Sequence, residues 1–501
     1  MKPVIRAAAW ALGVARFLAR FLPHALARAL ALAVPATLLA GCASAPALPT
    51  EPATAVAPAW QAPLPHGGAA TDLTRWWSQF NDPIVPALLA AAQSASPTLA
   101  SARARIERAR AARVAAGAAL LPQVDAVASA SSGRQVPGQP IASSASLGLQ
   151  AAWELDLFGG VASGRNAAQA RLAGAQAGWH DARVAVAAEV ATSYLALRAC
   201  EAQAVQSQLD SASREESARL TDLSARAGFT APADAALVRA GAAQSRSLAR
   251  SQKAACDTLL KGLVEITDLP EPALRERLAA GTAQLPQPAA IVVTALPAAL
   301  LSQRPDLAEA ARAVEAAAGD QAQRQASERP RVSLSGSLAA TGLRSGGFTS
   351  AGATWALGPL LVSLPLFDGG ARSVATAAAK ASYVEAVALY QGQVRRAVRE
   401  VETALVALEA SAQRQADAES AARDFEASLV ATQARQKSGL ASLLDLEAAR
   451  RNAVQAQSAL IELQRERAAA WIALYRALGG GWSAADLADP PTQSPRVTAQ
   501  P

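Results

Sequence analysis

Glu154-Leu155-Asp156-Leu157-Phe158-Gly159-Gly160 returns far along the chain as Leu364-Pro365-Leu366-Phe367-Asp368-Gly369-Gly370. Each stretch is a short apolar strand signal closed by Gly-Gly, and each opens a very long Ala-rich helical run. Phe158 and Phe367 stand 209 positions apart (367 − 158). Other landmarks keep nearly that offset: Glu107 and Glu315 lie 208 apart, and Glu189/Glu400, Gly228/Gly439 and Asp234/Asp445 each lie 211 apart. Pro97 to Pro122 and Pro305 to Pro330 are both 25 positions. An offset kept over so much chain marks an internal repeat, so the chain reads as two tandem copies of one unit.

Each copy reads the same way internally. Ser96-Pro97 and Arg304-Pro305 start helices, and Leu99, Arg103, Ile106, Ala109 and Ala112 follow at helical spacing. Between Pro122 and Asp156 the texture turns to alternating small, polar and apolar residues, which predicts strands at about 122–132 and 144–157 around a Gly/Pro/Ser loop. In the second copy Val332, Leu334 and Leu338 alternate with Ser333, Ser335 and Ser337, a strand with one apolar and one wet face. Its strands are expected at about 331–341 and 353–367, around a loop at 342–350. Strands of about ten residues cross a bilayer when tilted. A helical hairpin then follows in each copy, at about 161–262 with a break from Gly228 to Pro232, and at 370–478 with a break at Ser438-Gly439. A first arm of roughly 65 residues would be about 100 Å long.

Hydrophobic residues make up 51% of the 501 residues but aromatics only 4%, so Ala, Leu and Val carry the apolar character and favour close-packed helices. Five of the seven net positive charges (Lys2, Arg6, Arg16, Arg20, Arg28) fall in residues 1–41, which hold no acid. The rest is nearly neutral and gives no reason to invoke nucleic acid. Residues 1–41 read as a secretory leader whose apolar run, Ala29 to Ala40, ends in Leu39-Ala40-Gly41-Cys42, similar to a bacterial lipobox. Cleavage before Cys42 would expose it for acylation, palmitate included, and several acyl chains anchor stably. Residues 42–70 are an Ala/Pro-rich tether. The expected divisions are then 71–262, the first copy; 263–300, a linker rich in proline; 301–478, the second copy; and 479–501, a disordered tail.

No later stretch offers the roughly 20 uninterrupted apolar residues of a membrane helix, so any further crossing must use strands. Two copies supply four strands, and a four-stranded sheet in lipid leaves unsatisfied edges. Other chains must close the barrel. Helices of such length must also pack side by side.

Trp76-Trp77-Ser78-Gln79-Phe80-Asn81-Asp82-Pro83, Trp153 through Gly159, Leu301-Ser302-Gln303-Arg304-Pro305-Asp306-Leu307 and Leu364 through Gly370 resemble, in order over about residues 70–485, the TolC family of outer-membrane ducts, in its lipid-anchored OprM-like branch. The resemblance implies an α+β membrane protein. It implies a homotrimer with a 12-stranded outer-membrane β-barrel continuous with a periplasmic α-barrel. It also implies a passive exit duct for small molecules such as drugs, partnered by a periplasmic adaptor and an inner-membrane transporter of the RND type, with no cofactor.

In that family the far ends of the helical hairpins form an iris, gated partly by acids. Asp234 and Asp445 each sit six positions past the break glycine and are gate candidates; the alternative, which need not exclude this, is that Asp445 closes a capping box with Ser442 and Asp234 suits a first helical turn. The family often has a further acid three positions after Asp445. Here Ala448 stands there with Glu447 beside it, displaced by about 100° of helix, and Glu447 is the third gate candidate. Arg226, Gly228, Lys437 and Gly439 at the two tips are adaptor-contact candidates, with plain exposed turn residues as the alternative. Cys200 lies 29 residues before Phe229 and Cys256 lies 27 after it, level on an antiparallel hairpin, so they either form a disulfide or stay as buried thiols. Arg304-Pro305-Asp306 reads as helix initiation. Trp153 and Trp355 are interfacial anchors or core residues.

An enzyme reading has little to stand on. With His24 in the leader, only His66 and His180 remain, and no metal-ligand spacing, nucleophile motif or phosphate loop is present. A lipid-anchored periplasmic adaptor would show one hairpin between compact β-domains. A duct for type I protein secretion is the alternative within the family.

Overall fold

The computed structural model describes residues 60–62, 73–80, 82–134, 137–138, 140–287 and 303–483. The leader, Cys42, most of the tether, residues 288–302 of the linker and residues 484–501 lie outside the described residues. A short 3-10 helix, Leu73–Phe80, is followed by α1 (Ile84–Ala95), α2 (Pro97–Ala118), β1 (Gln123–Gly133), β2 (Ala142–Leu155), α3 (Gly160–Arg226), α4 (Pro232–Thr267) and α5 (Glu271–Leu278). Then come α6 (Pro305–Ala326), β3 (Arg331–Ser345), β4 (Phe348–Ser363), α7 (Ala371–Lys437) and α8 (Leu443–Ala477). α2 and α6 are both 22 residues long, and α3 and α7 both 67. Two helical hairpins, each preceded by a strand pair, are not the architecture of the adaptor alternative. Among the described residues no helix is long and apolar enough to cross a membrane.

The chain divides into two units. The first, among described residues, is built from 118–164 and 320–378 and holds one antiparallel sheet in the order β1-β2-β3-β4. Its register sorts the side chains by face. Leu149 pairs with Leu338 and Leu338 with Trp355 on one face, while Gln150 pairs with Ser337 and Ser146 with Thr341 on the other. The sheet therefore has an apolar face and a polar one. Trp355 and Leu357 are each 78% exposed, which water would penalise and hydrocarbon would not. Trp153, by contrast, is half-buried and its indole N–H donates to the Leu120 carbonyl at 3.0 Å. The expected loop at 342–350 is much shorter: β3 runs to Ser345 and β4 starts at Phe348. Gly346 (φ 56°) and Gly347 (φ 85°) make a two-residue turn with both central residues left-handed, which suits the twist of a hairpin. The register shifts between Leu334 and Gly336, where Gly358 and Pro359 of β4 face the single Ser335 as a bulge.

Each junction from sheet to long helix is capped by an acid. Asp156 accepts the N–H of Val161 (3.1 Å) and of Ala162 (2.7 Å), and Asp368 accepts those of Gly370 (3.0 Å) and Arg372 (3.2 Å). Gly159 and Gly369 beside them have φ of 70° and 67°.

The second unit holds the rest of the helices and the main core. Trp76, Trp77 and Phe80 of the family motif are its centre, with the Trp76 ring stacked on Tyr475 at 5.0 Å and Trp77 edge-on to it at 4.6 Å. Leu195, Leu263, Leu405 and Leu474 complete it. Arg304 is buried and binds three elements at once: Asp306 at 2.7 Å, Glu400 of α7 at 2.8 Å and the Ala477 carbonyl of α8 at 2.8 Å. Burial pushes the Asp306 carboxyl up, but the Arg304 guanidinium, the Gln393 amide and the Leu307 N–H together hold it below the ordinary range. The Arg-Pro-Asp motif is thus architecture: it opens α6 and ties that start to α7 and α8.

Within the expected linker lies a helix, α5, followed by a 3-10 turn at Ala279–Gly281, and the buried Leu274 and Leu278 hold it to the core. One expectation needs correcting. The start of the expected disordered tail is ordered: Gly479, Gly480 and Gly481 all have left-handed φ, and Trp482 is buried. A tight glycine turn brings that indole back onto the helices.

Candidate functional site: the helix tips

The turn between α3 and α4 and the turn between α7 and α8 are built alike. Phe229 N–H reaches the Ser224 carbonyl (2.9 Å) and Gly228 N–H the Ala225 carbonyl (3.1 Å). At the second tip Leu440 N–H reaches Arg435 (2.8 Å) and Gly439 N–H reaches Gln436 (3.0 Å). Both are Schellman closures, which need a left-handed residue after the helix. Gly228 (φ 80°) and Gly439 (φ 77°) supply it. At both tips a cation, Arg226 or Lys437, stands two positions before the glycine and an apolar residue follows directly after it. Phe229 is 87% exposed and Leu440 70%. Neither was singled out from the sequence, although both follow a predicted turn glycine at the same 211 offset.

The acids part company. Asp445 is exposed and closes a full capping box: its N–H donates to Ser442 Oγ (3.1 Å), while Oδ2 accepts from the Ser442 hydroxyl (2.7 Å) and N–H (3.0 Å). The Ser442 hydroxyl, and then its N–H, hold this carboxyl below the ordinary range. Asp234 is exposed in the first turn of α4 behind Pro232.

Glu447 has a different setting. Its carboxylate pairs with Arg214 of α3 and with Arg450 (2.6 Å) one turn on. Arg214 also holds Asp210 at 2.8 Å, and the buried Arg450 donates to Ser217 Oγ at 3.3 Å. Burial pulls the Arg450 guanidinium down, partly countered by Glu447. Glu447 is therefore the centre of a half-buried network joining the first hairpin to the second. Arg214 lies 233 positions before Glu447, and Ser217 233 before Arg450, separations that no local pattern reveals. Asp234 and Glu447, with Asp210, Arg214 and Arg451, line one groove of about 770 Å³ between the hairpins; Asp445 is not part of it.

Higher on the first hairpin, Cys200 of α3 and Cys256 of α4 form a disulfide with Cα atoms 5.5 Å apart. No cluster of three or more metal-binding side chains exists among the described residues.

The model of the outer membrane efflux protein family matches residues 88–262 and again 296–480. The chain is 30% identical over 461 residues to the outer membrane protein OprJ of Pseudomonas aeruginosa, covering 89% of this chain and 94% of that one. It is 29% identical to the solvent efflux pump outer membrane protein SrpC of Pseudomonas putida, covering 89% and 97%. Among solved structures, the outer-membrane channel OprN superposes with a TM-score of 0.77 at 26% identity, over 88% of this chain and 99% of that one. The MtrE outer membrane channel of Neisseria gonorrhoeae in its open state gives 0.73 at 25%, over 86% and 97%.

Proposed function

Because the chain belongs to the outer membrane efflux protein family, we propose that it is the outer-membrane exit duct of a tripartite efflux system. In that role it passes small molecules outward from an inner-membrane transporter of the RND type through a periplasmic adaptor. The protein is an outer-membrane channel component with a long periplasmic part. One observation carries the reading furthest. The four-stranded sheet has an apolar face, a polar face and two open edges at β1 and β4. An open edge in lipid leaves N–H and C=O groups without partners at several kcal/mol each. Three copies close a 12-stranded barrel in which β4 of one chain pairs with β1 of the next, and this homotrimer is the assembly we propose, each chain contributing two repeats.

The tips serve as the gate and the docking face. Asp234 and Asp445 are the gate acids, and the Arg214–Glu447–Arg450 network holds the two hairpins of one chain together beneath them. Arg226, Gly228, Lys437 and Gly439 contact the adaptor, and Phe229 and Leu440 add an apolar knob to each tip. Cys42 carries the acyl anchor. Cys200 and Cys256 are bonded in the oxidising periplasm.

The test is complementation. A strain lacking this duct accumulates a fluorescent efflux substrate; the intact chain restores export, and a chain with Arg226 and Lys437 changed to Glu reaches the outer membrane but does not. Restored export of a large protein substrate with no effect on small molecules would replace this reading with a secretion duct.

A further inference from the structure

The apolar face of the sheet ends in one charged row. Along β3, Leu338 on that face is followed at every second position by Ala340 and Gly342, and then by Arg344. The register carries the change across all four strands. Ala130, Ala145, Gly342 and Ala351 stand abreast, and one step further Ser132, Ser143, Arg344 and Thr349 do. Ser132 and Ser143 join hydroxyls at 2.8 Å. Arg344 is exposed and makes no ion pair among the described residues. Charge is also sorted along the strands. Residues 131–146 and 341–352, the hairpin end of the sheet, carry Arg134 and Arg344 and no acid. The acids of the strands, Asp125 and Glu154, pair with Gln150 and Ser333 towards the other end and on the polar face.

The height of the apolar face matches a membrane. Trp153, Leu334 and Leu360 form one row near the end from which the helices leave. From that row to the row of Arg344 is ten residues of β3 (344 − 334), about 34 Å of strand. At a tilt of about 40° this is about 26 Å of height, and the apolar band of a membrane barrel is about 25 Å tall. Arg344 therefore stands on the lipid side where hydrocarbon gives way to headgroups, a level at which a cation costs little. The helices of the periplasmic part leave from the opposite end, so these are headgroups of the outer leaflet.

We propose that Arg344, flanked by the hydroxyls of Ser143 and Thr349, binds the phosphate of the anionic glycolipid, lipopolysaccharide, of the outer leaflet. A guanidinium presents paired N–H donors that match phosphate oxygens. The row of small residues beneath it leaves the barrel wall low for the acyl chains of the same lipid. The proposal rests on the sheet lying in the outer membrane, and not on what the duct exports.

Native mass spectrometry of the assembled full chain, extracted from outer membranes and titrated with lipopolysaccharide, tests the site. The native chain binds the phosphorylated glycolipid at least about tenfold more tightly than its dephosphorylated form. Arg344→Gln loses that preference, Arg344→Lys keeps a part of it, and Arg331→Gln, at the helix end, keeps all of it. No preference in the native chain, or an undiminished one in Arg344→Gln, overturns the proposal. Equal binding of inorganic phosphate or of phosphatidylglycerol overturns it too, the first by making this a free-anion site and the second a general anionic surface. If Arg344→Gln does not reach the outer membrane, Arg344→Lys decides, and a preference equal to the native one overturns the site. Fractionation reads the placement separately. A native chain outside the outer membrane overturns placement and site together, whereas one inside it without the preference overturns the site alone.

Discussion

The cap that Asp445 closes and the gate role proposed for it can be pulled apart by substitution. Asp445→Asn keeps an acceptor for the Ser442 N–H but removes the charge, so channel recordings should show altered cation preference with the α8 start intact. Ser442→Ala keeps the charge and loses the cap, at about 1 kcal/mol, and should leave cation preference unchanged. Asp445→Ala does both and should raise conductance. If all three variants conduct and select like the native chain, the gate role is wrong. A second carboxylate reports on pH. Burial, and then Asp306, push the Asp181 carboxyl above its ordinary range, with Arg476 and Arg304 pulling back. A raised carboxylate is penalised when ionised, so the penalty is full above its folded pKa and absent below its unfolded one. Asp181→Asn should therefore melt at a higher temperature at pH 7–8, and the gain should close as the pH falls towards 4. A gain that is the same at both ends would mean that the effect is not electrostatic.

Elements here are set by how they end. α8 stops in a third Schellman closure, with Gly480 N–H on the Tyr475 carbonyl (3.1 Å) and Gly479 N–H on Arg476 (3.0 Å). A Cβ on Gly479, at φ 83°, would lie 2.2 Å from the Gln303 carbonyl. Gly479→Ala should cost at least about 2 kcal/mol and lower the melting temperature, whereas Gly439→Ala, with open space around it, should cost less. α3 and α4 are joined by the disulfide, which closes a loop of 56 residues. Periplasmic protein should be two mass units lighter than the reduced form and should resist alkylation until reduced; two thiols that alkylate without reductant would remove the bond.

At the scale of the whole molecule, the proposed three-chain barrel predicts that membrane insertion depends on assembly, because the sheet's edges at β1 and β4 are open. Native mass spectrometry in detergent should give a trimer. Proline substituted for residues that donate along the outer edge of β4 should yield monomers that stay out of the outer membrane, while the same change in the α3–α4 turn should not. A stable inserted monomer would defeat the closed-barrel assembly.

The repeat, the strand–helix–helix order, the tip glycines and the helix start at Arg304-Pro305-Asp306 were all legible in the residues; the clamp that Arg304 makes on Glu400 and Ala477 was not. Each legible feature depends on a periodicity or a backbone conformation that neighbours along the chain specify: Gly228 and Gly439 mark left-handed turns wherever they occur, and alternation marks a two-faced strand. Contacts between distant elements were not legible. Nothing local shows that Glu447 pairs with Arg214, 233 positions away, in the joint between the hairpins, or that Glu402 takes the backbone N–H groups of Gln61 and Ala62. Local sequence determines what each segment becomes, because helices and turns are satisfied by bonds within a few residues. Which charge meets which backbone group is decided only when the segments pack, since that pairing depends on where burial brings remote parts of the chain together.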